Sequence, residues 1–195
     1  LGVSEEQPYA ISDRSEGLAA MMLEAIDNRH QPLTLERLLQ WHHWLFPADD
    51  WTLQRVRVGQ LRGEEPMQVV SGRLDRPTVH FEAPPRQGLE QALACFIDWF
   101  NASLNDPGQD PLLRAAICHL WFVTLHPFDD GNGRITRALT DLALSQADSQ
   151  SIRLYAMSVA ILEQRADYYR ALEQTQKGGL DITAWLIWFL DTLNA

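Results

Sequence analysis

An all-α helical bundle carrying one β-hairpin is the fold class that the sequence predicts, on three observations. Apolar residues recur at spacings of three and four in one stretch after another, the period of an amphipathic helix. One stretch, residues 110–125, is apolar on nearly every side, as a helix at the centre of a bundle must be. Extended character is confined to one place, where Met67 to Ser71 and Thr78 to Phe81 flank turn formers at 72–77 and Pro84-Pro85 ends the pattern.

Each element has a local reason. Leu18, Met21, Met22 and Ile26 form one face of a helix expected over about 12–28, with Ser12 as its cap. Thr34 opens a second helix bearing Leu35, Leu38, Leu39, Trp41 and Leu45, which Pro47 stops. A third, about 89–103, aligns Leu93, Phe96, Ile97 and Phe100. Asp110 followed by Pro111 is a strong start signal for the central helix, because Pro lacks only an N–H that the first turn could not use. Further helices are expected over about 132–147, 159–176 and, after Gly178-Gly179 and an Asp181 cap, 182–193. The pairs Trp41/Trp44 and Trp185/Trp188, three residues apart, read as packing between helices.

The 195 residues suit one domain, 1–195, with a core at about 33–176. The start at Leu1 rather than Met marks the chain as an expected piece of a longer protein. Apolar residues at 46% and charged residues at 22% are ordinary globular usage, which excludes disorder and fibres. A net charge of −10 repels polyanions, so nucleic-acid and membrane-surface roles are not expected. No apolar run approaches the ~18 residues that span a bilayer, and no secretory signal is expected. Cys95 and Cys118 lie in apolar helical stretches and read as buried free thiols, which fits a reducing cytoplasm.

The chemistry concentrates in His126-Pro127-Phe128-Asp129-Asp130-Gly131-Asn132-Gly133-Arg134-Ile135-Thr136-Arg137. His126 follows a buried helix and is held by Pro127, with Phe128 as an apolar anchor, so it is placed rigidly. Gly131, Asn132 and Gly133 open the next helix, where N–H groups without intrahelical partners and the positive end of the dipole make a phosphate cradle. Arg134 and Arg137, three apart, share a face and can fork onto phosphate oxygens. Asp130 supplies one carboxylate, the kind of site Mg²⁺ uses together with substrate phosphates.

This stretch matches at every specified position the signature of the Fic family, His-Pro-Phe-x-(Asp/Glu)-Gly-Asn-Gly-Arg-x-x-Arg, a coincidence on the order of 10⁻⁹ by chance in a chain of this length. The resemblance extends over residues 33–47, 69–84, 115–137 and the Tyr168-Tyr169 helix, and implies a Fic-domain bundle with the hairpin as a flap over the active site. It implies transfer of AMP from ATP to a Ser, Thr or Tyr hydroxyl of a target protein, in a bacterial-type cytoplasm. His126 would be the base, Asp130 the Mg²⁺ ligand, Gly131, Asn132 and Gly133 the anion hole, and Arg134 and Arg137 the contacts to the β- and γ-phosphates. The flap, with Val69, Val70, Ser71, Val79, His80 and Phe81, would hold the target segment as an added strand. Tyr169 and Gln176 resemble the family's Tyr and Asn at the adenosine pocket, with Gln as a departure.

Several alternatives stay open. Gly133 replaces the Lys of a kinase subgroup, which favours AMP transfer, while UMP or GMP donors and a non-catalytic nucleotide-sensing module remain as competitors. Self-modification and a homodimer are further readings of the partner. Ser12 to Gly17 fits the family's inhibitory pattern (Ser/Thr)-x-x-x-Glu-(Gly/Asn), making Glu16 either a restraint on Arg137 or a first-turn acid favoured by the helix dipole; in the branch resembled, the inhibitory helix lies just upstream of a start like Leu1-Gly2. An EF-hand loop is excluded because Ile135 stands where that loop needs Gly. His119, His42 and His43 are expected to be packing residues, Asp129 to be solvated, and His30 carries no signal.

Overall fold

A computed structural model describes residues 13–46, 56–73, 76–147, 157, 161 and 163–194, leaving aside the side chains of 13–15 and 70–78. The helices are α1 (Asp13–Asp27), α2 (Leu35–Leu45), α3 (Leu89–Ala102), α4 (Pro111–Leu125), α5 (Asn132–Ala147), α6 (Arg165–Gln176) and α7 (Thr183–Asn194). One antiparallel hairpin, β1 (Gln68–Arg73) and β2 (Arg76–Glu82), stands between α2 and α3.

The start signals act as expected. Thr34 accepts from the Arg37 N–H at 3.1 Å, and Asp110 accepts from the N–H groups of Leu112 and Leu113 ahead of Pro111. Asp181 accepts from Thr183 N at 2.9 Å. The Ser12 cap and the Pro47 stop lie outside the described residues.

Helix α4 is the spine. Ala115, Ala116, Cys118, His119 and Phe122 on it are fully buried against α3, α5 and α7. Trp185 donates its indole N–H to the Ala116 carbonyl at 2.8 Å, and Arg114 caps the C-terminal end of α3 by donating to Phe100 O and Ser103 Oγ. Trp41 and Trp185 are wholly buried with Trp44 and Trp188 packed beside the core, so both pairs hold helices together, and full burial of such a side chain contributes roughly 1.5–3 kcal/mol. Glu24 of α1 accepts from both Trp41 Nε1 and Arg37 Nε and locks α1 to α2.

Three expectations need correction. Gly72, Arg73, Arg76 and Pro77 are strand rather than turn residues: pairing continues through Gly72↔Pro77 to Arg73↔Arg76, with an irregularity between Val69 and Val70, since a two-stranded ribbon has only edges and tolerates Pro77. The helix expected over 159–176 is interrupted: residues 161 and 163 are helical, Gln164 leaves the helical region at φ −108°, ψ 35°, and α6 runs on from Arg165 to Gln176. Cys95 is exposed rather than buried, since it lies off the α3 face formed by Leu89, Leu93, Phe96 and Phe100; Cys118 is buried, and both thiols are free. Among the described residues no helix is long and apolar enough to cross a membrane.

Candidate active site

A cleft of about 390 Å³ lies between the hairpin, the α4–α5 junction and α6, and its walls include His126, Asp130, Gly131, Gly133, Arg134 and Arg137. Val69, His80 and Phe81 of the hairpin close one side, and Tyr169 and Gln176 of α6 another. Residues far apart in sequence therefore meet in one cavity.

His126 ends α4 with φ 48°, the one positive φ among the described non-glycine residues. A side chain costs about 1–3 kcal/mol there, so the turn persists only because its surroundings hold it. They do so through Arg62, a buried side chain that donates Nε–H to His126 O at 2.9 Å and Nη2–H to Pro84 O at 2.6 Å, while its own N–H binds Pro127 O. The imidazole Nδ1–H donates to Val123 O at 3.2 Å, which leaves Nε2 as the proton acceptor. Burial lowers the His126 pKa from its ordinary value, keeping the ring neutral.

The motif loop is bonded from within. Asn132 turns its side chain inward, with Oδ1 accepting from Phe128 N and Nδ2 donating to Phe128 O, so only its backbone can serve the anion hole. Gly131 adopts φ +84° and donates to Asp130 Oδ1 at 2.6 Å. A Cβ on Gly131 would come within 3.1 Å of Phe46, whereas one on Gly133 would meet nothing within 4 Å. Gly133 is thus required for no steric reason, and a longer side chain there would project into open space. Asp130 is largely exposed and lies 3.4 Å from Arg134, while Arg137 donates Nε–H to Gly133 O.

Several residues behind the loop differ from expectation. Asp129 is not solvated; it accepts from the Arg57 backbone N–H and pairs with its guanidinium at 3.2 Å. His42 does more than pack, because Nδ1 accepts from Gly59 N at 2.9 Å and Nε2 contacts Asp130 O at 3.2 Å. His119 is the satisfied core histidine expected, bonded to Thr140 Oγ1 and Tyr168 OH. His43 is exposed.

On the far wall, Gln176 donates to Thr124 Oγ1 at 2.9 Å, Arg165 lies over the Tyr169 ring at 5.6 Å, and His80 Nδ1 approaches Glu173 Oε2 at 3.5 Å. Arg165 and Glu173 were absent from the sequence reading, although their positions four residues either side of Tyr169 put all three on one helix face. Arg62 and Arg57 had no readable signal, since their partners are carbonyls and a carboxylate more than twenty residues away. Val79 is exposed on the hairpin outside the cleft lining, and the side chains of Val70 and Ser71 lie outside the described residues. Glu16 is exposed in α1 and is not among the residues lining the cleft, and among the described residues it makes no ion pair with Arg137. Gly17 beside it has a packing role, because a Cβ there would fall 1.8 Å from the Trp44 carbonyl oxygen.

The sequence model of the Fic/DOC family matches residues 32–144, more than half of the chain. This chain belongs to the Fic/DOC family. It is 30% identical over 155 residues to the protein adenylyltransferase fic-1 of Caenorhabditis briggsae and 30% over 158 residues to that of Caenorhabditis elegans. In both cases the match covers 80% of this chain and 26% of the relative, so the chain spans about a quarter of the length of these curated relatives. The Fic fold is shared with a Fic domain containing signaling protein from Bacteroides thetaiotaomicron, at TM-score 0.65 and 24% identity over 93% of this chain and 64% of that one. A Fic family protein from Desulfovibrio desulfuricans aligns at TM-score 0.67 and 24% identity, covering 99% of this chain and 52% of that one.

Proposed function

We propose that this Fic domain is a protein adenylyltransferase that moves AMP from ATP to a Ser, Thr or Tyr hydroxyl of a target protein and releases pyrophosphate. The observation that carries the reading is His126, whose Nδ1–H is committed to Val123 O and whose Nε2 faces a cleft walled by Arg134 and Arg137. The relatives named protein adenylyltransferase support the same reaction.

In this reading the target hydroxyl loses its proton to His126 Nε2 as its oxygen bonds to the α-phosphorus, and the bond from that phosphorus to the pyrophosphate oxygen breaks. Neutral imidazole is the competent form, and burial maintains it. Asn132 and Gly133 offer main-chain N–H groups to phosphate oxygens at the start of α5, the Gly131 N–H joins them when it leaves Asp130 Oδ1, and Arg134 and Arg137 neutralise the β- and γ-phosphates. Tyr169 and Gln176 line the adenosine side. Asp130 fits a Mg²⁺ that arrives with the nucleotide: it is one exposed carboxylate, and no group of three His, Cys, Asp or Glu residues among the described residues could hold a metal by itself. Such an ion would neutralise charge on the phosphate chain.

The hairpin presents both strands as edges, so an extended target segment gains main-chain hydrogen bonds by lying beside one of them, near Val79 and within reach of His126 across Phe81. Gly133 favours nucleotidyl transfer over the kinase alternative, because the open space around it would admit a Lys that this chain lacks. We read residues 1–195 as one domain, on the packing of α1 and α7 against α5 and α4, and place it in a reducing cytoplasm on its unpaired Cys95 and Cys118.

The test is label transfer to lysate proteins from α-³²P-ATP and γ-³²P-ATP with Mg²⁺, using the chain and its His126→Ala variant. Label from the α-position alone, reduced about 10²–10⁴-fold in the variant, is expected for a general base. Label from the γ-position alone would replace the reading with kinase chemistry, and no label from either would overturn it.

A further inference from the structure

Arg134 does not stand free at the start of α5. Its guanidinium lies over the ring of Phe46, 4.9 Å from the centroid, and Phe46 is the residue that closes α2. The same ring rests against the bare Cα of Gly131, where an added Cβ would approach Phe46 Cε2 to 3.1 Å. Beneath it the His42 ring is tilted against Phe46 at 4.9 Å and stacked on Phe128 at 4.3 Å. Because Gly59 N can only donate, His42 Nδ1 accepts and Nε2–H donates to the Asp130 carbonyl. The end of α2 thus touches the motif at Phe128, Asp130, Gly131 and Arg134.

We propose that Phe46, backed by His42, is a positioning residue that presets Arg134 and the Gly131 turn for the phosphate chain of the nucleotide. The inference rests on the proposed function only for the identity of that anion. A long arginine that samples many rotamers loses that freedom when it grips a phosphate, and an aromatic face that already holds the guanidinium plane removes part of the loss. Asp130 borders Arg134 on another side at 3.4 Å, so an arriving anion meets a side chain already confined.

Two readouts test this in the whole chain. The first needs no nucleotide: ¹⁵N relaxation of the Arg134 Nε–H is expected to show a lower order parameter in Phe46→Leu and an unchanged one in Phe46→Tyr, which keeps the ring. The second is calorimetric binding of Mg²⁺-ATP against AMP, in which Phe46→Leu is expected to weaken ATP about three- to tenfold, leave AMP unchanged, and add nothing to Arg134→Ala. An unchanged Arg134 order parameter in Phe46→Leu would overturn the proposal, as would equal weakening of ATP and AMP. If Phe46→Leu does not fold, Phe46→Met carries the same expectations. A wild-type chain that binds no ATP would defeat the proposed function, while the relaxation measurement would still decide the role of Phe46.

Discussion

The two sides of the cleft are built in opposite ways. Behind the motif, Arg62, Arg57, His42 and Asn132 bond the carbonyls, carboxylate and N–H groups of residues 126–132 from several directions, and Phe128 is fully buried. Across from it, the hairpin is a two-stranded ribbon joined to the helical body by side chains such as His80 on Glu173 and Tyr169, and Phe81 beside His126. Phosphate chemistry rewards groups held in place before the substrate arrives, because charge stabilisation then costs no rearrangement. A ribbon with open edges suits a partner that supplies its own hydrogen bonds.

Breaking the rigid side has the largest expected effect. Arg62→Ala leaves two partly buried carbonyls, His126 O and Pro84 O, without their side-chain donor and is expected to cost roughly 3 kcal/mol, read as a fall in melting temperature together with loss of transfer. Gly17→Ala, by contrast, sets a methyl against Trp44 O; it is expected to lower stability by about 1–3 kcal/mol in thermal melts without moving the ATP affinity of the folded fraction.

Titration sharpens the contrast further. Asp141, buried one turn beyond Arg137 with Oδ1 unpartnered among the described residues, has its carboxyl pushed up to about 7 by burial. The folded state therefore holds a proton that the unfolded state has lost, and this contribution, complete below pH 3.8, fades as pH rises through 7. Asp141→Asn is accordingly expected to melt above wild type at pH 8 and near it at pH 4. His126 runs the other way: its lowered pKa moves the acid limb of the transfer rate below pH 6.5, a shift that a pH profile of the initial rate would detect.

The hairpin side should respond differently. Val79→Asp, on the exposed hairpin, is expected to raise KM for a protein target several-fold while ATP binding and melting temperature stay within error. The smallest effect is assigned to Glu16→Gln, whose exposed position in α1 predicts unchanged AMP transfer; a clear gain in activity would instead make it a restraint on Arg137.

How much of this was legible beforehand follows from how local each signal is. Asp110-Pro111, Thr34 and the glycines of the motif act within one turn of chain, and the elements they predicted are present. The cleft residues on α6 were half visible: Tyr169 and Gln176 came from resemblance, while Arg165 and Glu173 on the same face did not. Asp129 and Cys95 were misjudged because composition says nothing about which neighbour covers a side chain, and Arg57 covers one while nothing covers the other.

The sequence by itself determined the helices, the hairpin and the motif residues to which the roles of base, anion hole and phosphate clamps are proposed here, since each depends on residue type and short-range spacing. Only the tertiary structure decided that Asn132 faces inward, that His42 and Phe46 of α2 stand behind Asp130 and Arg134, and that Arg62 holds His126 in its left-handed turn. Asn132 bonds Phe128 only four residues away, but the other roles join residues tens of positions apart, and such pairs become neighbours only after α2 and the 56–62 segment have packed onto the buried end of α4.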